Sequence, residues 1–194
     1  MAYLWQNPDV IVALAGQHLF MTLTALVIAT LIALPLSLIL LRSERLAAGT
    51  LSVLGVFYTI PSIALLILLL PLFGLNQKSV IVALVVYTQI ILVRNMVAGL
   101  KGVPEPVLEA ARGMGMNGRQ RWLRVQIPLA LPVILAGMRI AAVVAVSIAT
   151  IGAKFGAGGL GKLLFDGIAQ NRYDKIVAGG SGGSAVGVGA GTGC

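Results

Sequence analysis

The sequence predicts an all-α, polytopic transmembrane helix bundle. Three observations carry this. The chain has 194 residues, of which 58% are hydrophobic and only 10% charged, with a mean hydropathy of +0.99. A soluble domain is about a quarter charged, so this chain has too few polar groups to cover a water-facing surface. Second, the apolar residues form unbroken runs of the length that crosses hydrocarbon, about 20 residues as helix. Third, the runs do not alternate, and isolated strands would leave backbone groups unsatisfied in lipid, so helix is the consistent reading.

Four runs qualify, at Leu19–Leu41, Leu51–Leu72, Val80–Leu100 and Leu129–Ile151. Pro35, Pro61 and Pro132 fall inside or near the ends of them. Each removes a backbone donor and tends to kink its helix. Residues 1–18 read as an external amino-terminal segment, and residues 19–178 as the membrane domain. His18, where the first run begins, is expected at the interface. Met1 to Gln17 lacks a basic start, so no cleavable signal is expected.

Loop charges orient the bundle. Arg42 and Arg45 follow the first run, and Lys101, Arg112, Arg119, Arg121 and Arg124 lie between the third and fourth. The positive-inside rule places both loops in the cytoplasm. Lys154, Lys162, Arg172 and Lys175 fall outside, partly offset by Asp166 and Asp174, so the bias is moderate. The formal net charge of +8 thus belongs to loops beside lipid headgroups and is no nucleic-acid signal. The single cysteine, Cys194, excludes an internal disulfide.

After Ile151 comes a glycine-rich turn, Gly152 to Gly161, expected to shape the outer mouth of a pathway. It lacks the Gly-Lys-Ser/Thr ending of a phosphate-binding loop. A short amphipathic piece follows at Lys162 to Gln170, and Ile176 opens what reads as a fifth span. Residues 179–194 read instead as a glycine-rich tail without Leu, Ile or Phe, too poor in apolar surface to order itself.

Between the third and fourth runs, residues 101–128 form a polar loop. Pro104 and Pro106 suit a helix start, and Gly113 and Gly115 its stop, so a short helix is expected over Glu105 to Met114. Glu109-Ala110-Ala111 is followed by Gly115, then by nine residues and Val125-Gln126-Ile127-Pro128. This spacing resembles the signature of permease subunits of bacterial ABC importers: Glu-Ala-Ala, three residues, Gly, nine residues, Ile-x-Leu-Pro. Val125 and Ile127 are mild departures. Thr22-Leu23-Thr24, Thr59-Ile60-Pro61-Ser62, Val93-Arg94-Asn95 and Ala136-Gly137-Met138-Arg139 extend the resemblance over roughly Gln17 to Gly179. With the Gly156 to Gly161 loop they point to osmoprotectant permeases of the glycine betaine, carnitine and choline class.

The resemblance implies the fold of the MetI-like ABC importer permease type, here apparently lacking most of the fifth core helix. A frame shift near codon 179 or a truncation would each account for the tail. It implies a multi-pass protein of the bacterial cytoplasmic membrane with three protein partners. These are a separate ATP-binding subunit, an extracytoplasmic substrate-binding protein, and a second permease subunit in a homo- or heterodimer. It implies that Glu109, Ala110, Ala111, Gly115, Ile127 and Pro128 form the element coupled to the ATPase. An ABC permease for an amino acid such as methionine, and a non-functional truncated permease, remain alternatives.

Within the spans, Arg94 lies roughly 9 Å from the cytoplasmic end by helical rise, within snorkelling reach. Arg139 is deeper and is expected to face the bundle interior or hold a carbonyl. Phe57, Tyr58 and Tyr87 are aromatic candidates for the pathway, since quaternary ammonium groups favour aromatic faces. Tyr58, Tyr87 and Arg139 are the pathway candidates. Every Asp and Glu lies outside the four runs, which removes the intramembrane acid that a Na⁺- or H⁺-driven carrier would use. No nucleophile with its base and no metal cluster is legible, so neither enzymatic activity nor a cofactor is expected.

The topology has a direct test. In a chain with Cys194 replaced by Ser, Glu109→Cys is expected to react with a membrane-impermeant maleimide only from the cytoplasmic side. Labelling from outside would invert the orientation.

Overall fold

Proline and glycine punctuation divides the apolar sequence into helices, and the computed structural model places them for residues 7–173 and 175–181. In chain order these are α1 (Pro8–Leu40), α2 (Glu44–Thr59), α3 (Ser62–Phe73), α4 (Gln77–Lys101), α5 (Glu105–Gly113), α6 (Gly118–Arg121), α7 (Ile127–Gly152) and α8 (Gly161–Ala169). A π-helical turn, Trp122–Gln126, joins α6 to α7, and a 3₁₀ turn, Ala153–Phe155, follows α7. Residues 175–181 are again helical. No strand occurs among the described residues.

Three helices are long and apolar enough to cross a membrane: α1, α4, and the continuous helix over Gly118–Phe155 that contains α7. The run expected as one span that Pro61 tends to kink, Leu51 to Leu72, is two helices, α2 and α3, bent by 92°. The cause is local. Proline disfavours the helical region for the residue before it, and Ile60 takes φ −65, ψ 127. Pro61 also has no N–H to bond the preceding turn. The carbonyl of Ile60 is freed, and the hydroxyl of Tyr87 on α4 donates to it. Pro35 and Pro132, by contrast, stay within unbroken helices.

Helix α4 is the hub, packed against α1, α7, α2 and α3. Its partners present small residues. Ala25, Ala29 and Ala33 of α1 are wholly buried, as are Ala141, Ala145 and Ala149 of α7. Spacings of four bring each set onto one helix face. Small side chains let backbones approach, and in lipid that contact drives helix association. Gly137 is the tightest case, because a Cβ there would land on the side chain of Asn95. Polar side chains tie the helices further: Gln89 Nε2 donates to the Ala29 carbonyl at 3.1 Å. The opposite faces leave large apolar groups such as Phe20, Leu31, Leu68 and Leu72 exposed, as a lipid-facing surface requires.

Several expectations are corrected. The first helix begins at Pro8 rather than Leu19. His18 therefore sits within it and is fully buried, packed under the glycine turn at Gly159. Arg139 is exposed and does not face the interior of the chain. At about 100° per residue it points away from the buried face set by Gly137 and Ala141. Arg94 is also exposed. The amphipathic piece forms α8 as expected, and residues 175–181 pack on it, with Ile176 against Gly167 and Gly179 against Leu164. Residues 179–181, counted with the tail, are helical, while 182–194 lie outside the described residues.

The seam between α4 and α7 is open to measurement. Gly137→Val forces overpacking against Asn95 and is expected to cost about 1–3 kcal/mol. The readout is a lowered thermal unfolding midpoint in detergent, with Gly137→Ala intermediate. An unchanged midpoint would show that the two helices do not approach this closely.

Candidate functional site

The polar loop folds as α5, α6 and the π turn, a small platform at the end of the bundle where α4 stops and α7 starts. Pro104 is the N-cap of α5, and Pro106 sits in its first turn, where its missing N–H costs nothing. Glu105 in the first turn and Arg112 in the last complement the helix dipole and pair with each other at 3.4 Å. Both are largely exposed, so the pair contributes little stability.

The helix ends in a Schellman cap. Met116 N–H donates to the Ala111 carbonyl at 3.2 Å, and Gly115 N–H to the Arg112 carbonyl at 2.9 Å. This closure needs a left-handed residue, and Gly115 supplies it with φ +77. The interval from Ala111 to Gly115 is thus the interval of the cap itself. Two expected site residues are brought together by backbone geometry alone.

Around α5 the signature residues separate. Ala111 is buried, while Glu109 and Ala110 are exposed. Val107 and Met114 are also exposed, Met114 at 69%, so the outer surface is a carboxylate amid apolar patches. The inner side docks through Leu108, which with Val103 and Trp122 packs on Leu100, Ala130 and Ile134. A projecting helix is thus fastened to the ends of two spans.

Asn117 then starts α6 with a capping box. Gln120 N–H donates to Asn117 Oδ1 at 2.9 Å, and Asn117 N–H to Gln120 Oε1 at 3.0 Å. The wide turn that follows has a cause in Pro128. Proline cannot donate to the carbonyl four residues back, here that of Arg124, and its ring crowds that group. The chain relaxes into π geometry, in which Ile127 N–H reaches the Trp122 carbonyl. Ile127 is half-buried, and Pro128 is exposed at the start of α7. Gln126 Nε2 donates to the Leu100 carbonyl at 3.3 Å, clamping the turn to the last residues of α4.

Sequence reading missed this support. The Asn-x-x-Gln spacing of Asn117 and Gln120 was a legible signal of a helix start. The clamp from Gln126 was not, because it depends on where α4 ends in space.

The pathway candidates diverge. Tyr87 is 5% exposed, and its hydroxyl is committed to Ile60, so it supports the broken span instead of lining an open face. Tyr58 is 43% exposed and meets Tyr87 edge-on with ring centroids 5.7 Å apart. Phe57 is exposed beside it. Arg139 is remote from the platform on an exposed face of α7. Among the described residues, no group of three or more His, Cys, Asp or Glu is placed to hold a metal.

Residues 25–191 match the family described as "Binding-protein-dependent transport system inner membrane component". The chain belongs to that family. It is the permease component of an ABC importer, a class that works with an ATPase and a substrate-binding protein and is not itself enzymatic. Among its relatives, the carnitine transport permease protein OpuCB of Listeria monocytogenes is 35% identical over 92% of this chain and 82% of its own length. The glycine betaine/carnitine/choline transport system permease protein OpuCB of Bacillus subtilis is 34% identical over the same shares, 92% and 82%. The osmoprotectant import permease protein OsmW of Salmonella typhimurium is 37% identical over 91% and 85%.

The fold is that of a solved permease. The MetNI methionine ABC transporter, in an inward-facing form, superposes with a TM-score of 0.77 at 22% identity, covering 95% of this chain and 94% of that one. An amino acid ABC transporter with histidines gives a TM-score of 0.77 at 19% identity, over 97% and 92%.

The cap on α5 yields a local prediction. Gly115→Val places a β-branched residue in left-handed geometry, at a cost of about 1–2 kcal/mol. It is expected to speed amide hydrogen exchange at Gly115 and Met116 while leaving the bundle's unfolding midpoint nearly unchanged. Gly115→Asn, which tolerates that geometry, should retain most of the protection.

Proposed function

We propose that this chain forms the membrane pathway of an ATP-driven importer for osmoprotectants of the glycine betaine, carnitine and choline class, in the bacterial cytoplasmic membrane. The observation that carries the solute class is identity of 34–37% over 91–92% of the chain to permeases named for those solutes or for osmoprotectants. The methionine alternative rests on a fold likeness at 22% identity, which carries no solute.

In this reading α5 is the lever. Its outward side, Glu109 and Ala110 with Met114, seats in a groove of the ATPase. Ala110 is small and permits close contact. Glu109 accepts hydrogen bonds at the interface, and Met114 adapts to an apolar pocket. Movement of the ATPase passes through Ala111 and Leu108 into Leu100 and Ala130, the ends of α4 and α7. Ile127 and Pro128, with the π turn, form the second attachment. Gly115 fixes where the lever ends.

The exposed Arg139 favours a second permease subunit. A guanidinium left facing hydrocarbon costs about 2.5 kcal/mol or more, and a paired subunit gives that face of α7 a protein or water-lined environment. Tyr58 and Phe57, exposed at the bent span, remain pathway residues in this reading.

The test is transport. In a strain deleted for its osmoprotectant importers, expression with the cognate ATPase and binding protein should restore uptake of radiolabelled glycine betaine, carnitine or choline. Gly115→Val should insert normally yet abolish transport-coupled ATP hydrolysis in proteoliposomes. Methionine uptake in place of osmoprotectant uptake would overturn the solute class. Failure to retain any ATPase subunit in a pull-down would favour a non-functional permease.

A further inference from the structure

The bundle end opposite α5 carries a concave site bordered by the glycine turn, and its lysines have no role in the reading above. It is a cavity of about 620 Å³, with walls from the first turns of α1, the start of α4 and the glycine turn before α8. Its floor is pinned. Gln17 Oε1 accepts from Gly159 N–H at 3.2 Å, and Gln77 Nε2 donates to the Ala157 carbonyl at 3.1 Å. The turn lies so close on α1 that a Cβ at Gly158 would collide with Gln17. These contacts fix the shape of the cavity and consume one hydrogen-bonding group of each amide.

What remains is positive charge. Lys78 and Lys162 line the cavity from two different elements, and both are exposed. Neither forms an ion pair among the described residues. Backbone N–H groups at the start of α4 add partial positive charge to the same rim. Two cations around one concavity raise each other's energy, and an incoming anionic group lowers both.

The position of the site decides which anion. Helix α4 begins here at Gln77 and ends at Lys101 beside α5. With α5 on the cytoplasmic side, the cavity opens outside, where an importer meets its substrate-binding protein. We propose that this cavity receives an acidic side chain of that protein, held between Lys78 and Lys162. The proposal rests on the importer reading above. A solute of the proposed class fits less well, since its quaternary ammonium group would be repelled by two lysines. A lipid headgroup needs only a flat basic rim, whereas this floor is recessed and held by two side-chain amides.

The test uses the complete importer in proteoliposomes of neutral lipid, titrated with its solute-loaded binding protein. ATP hydrolysis reports docking. Lys78→Glu/Lys162→Glu is expected to raise the half-saturating concentration of binding protein about tenfold or more. Activity without binding protein should be unchanged. Raising ionic strength should weaken wild-type docking several-fold and the variant much less. Lys78→Gln/Lys162→Gln, a milder change, should fall between, with an unfolding midpoint equal to wild type.

An unchanged half-saturation in the reversed-charge variant, with the wild type stimulated, would overturn the proposal. So would a defect seen only when anionic lipid is included, which would assign the lysines to headgroups. A loss restricted to carboxylate-bearing solutes, with docking intact, would assign them to the solute and overturn it likewise. No stimulation of the wild type by any binding protein would instead defeat the importer reading beneath it.

Discussion

Backbone amides in hydrocarbon have no water to turn to, so each must find its partner within the protein. That constraint makes every described membrane segment of this chain helical. It also governs the one place where a span breaks. Pro61 ends one helix and begins another at a bend of 92°. The orphaned carbonyl of Ile60 is met by the hydroxyl of Tyr87, which projects from the hub helix α4. An aromatic residue that looked like a contact for solute is thereby drawn into structural service.

The same hub joins the two ends of the molecule. Helix α4 starts at the cavity lined by Lys78 and Lys162, passes the alanine faces of α1 and α7, and finishes under the platform of α5. Close packing along its length matters mechanically. Interiors at native density transmit displacement with little loss, and Gly137 against Asn95 leaves no slack at the seam with α7. Leu100, Ala130 and Val103 form the joint between this rod and the platform.

The platform was readable because its signals are local. Pro104 and Pro106 mark a start, Gly113 and Gly115 a stop, and the helix over Glu105–Gly113 follows. The spans were readable from hydropathy, which measures length in apolar residues but is blind to direction. All three prolines were expected to kink their helices, and hydropathy could not single out Pro61 from Pro35 and Pro132, since the residues that receive a freed carbonyl lie elsewhere in the chain. Arg139 was misplaced because depth was weighed and angle was not. The spacing of Gly137, Ala141 and Ala145 already marks the buried face of α7, and residue 139 lies across from it. His18 was assigned by its place before Leu19, when the helix had begun at Pro8. The cavity at the end opposite α5 was invisible, because it assembles Gln17, Lys78 and Lys162 from distant stretches.

The turn at Trp122–Gln126 holds one residue more than an α-helical turn would. It is a surplus stitch in the fabric of the helix. Removing a single residue there would press the ring of Pro128 against the carbonyl that the wide turn now holds clear of it. The same deletion after Ile134 would swing Gly137, Ala141 and Ala145 about a quarter-turn toward lipid and unzip the seam. Length variation in this helix thus strains one turn at its root beside α5 and is ruinous in its middle.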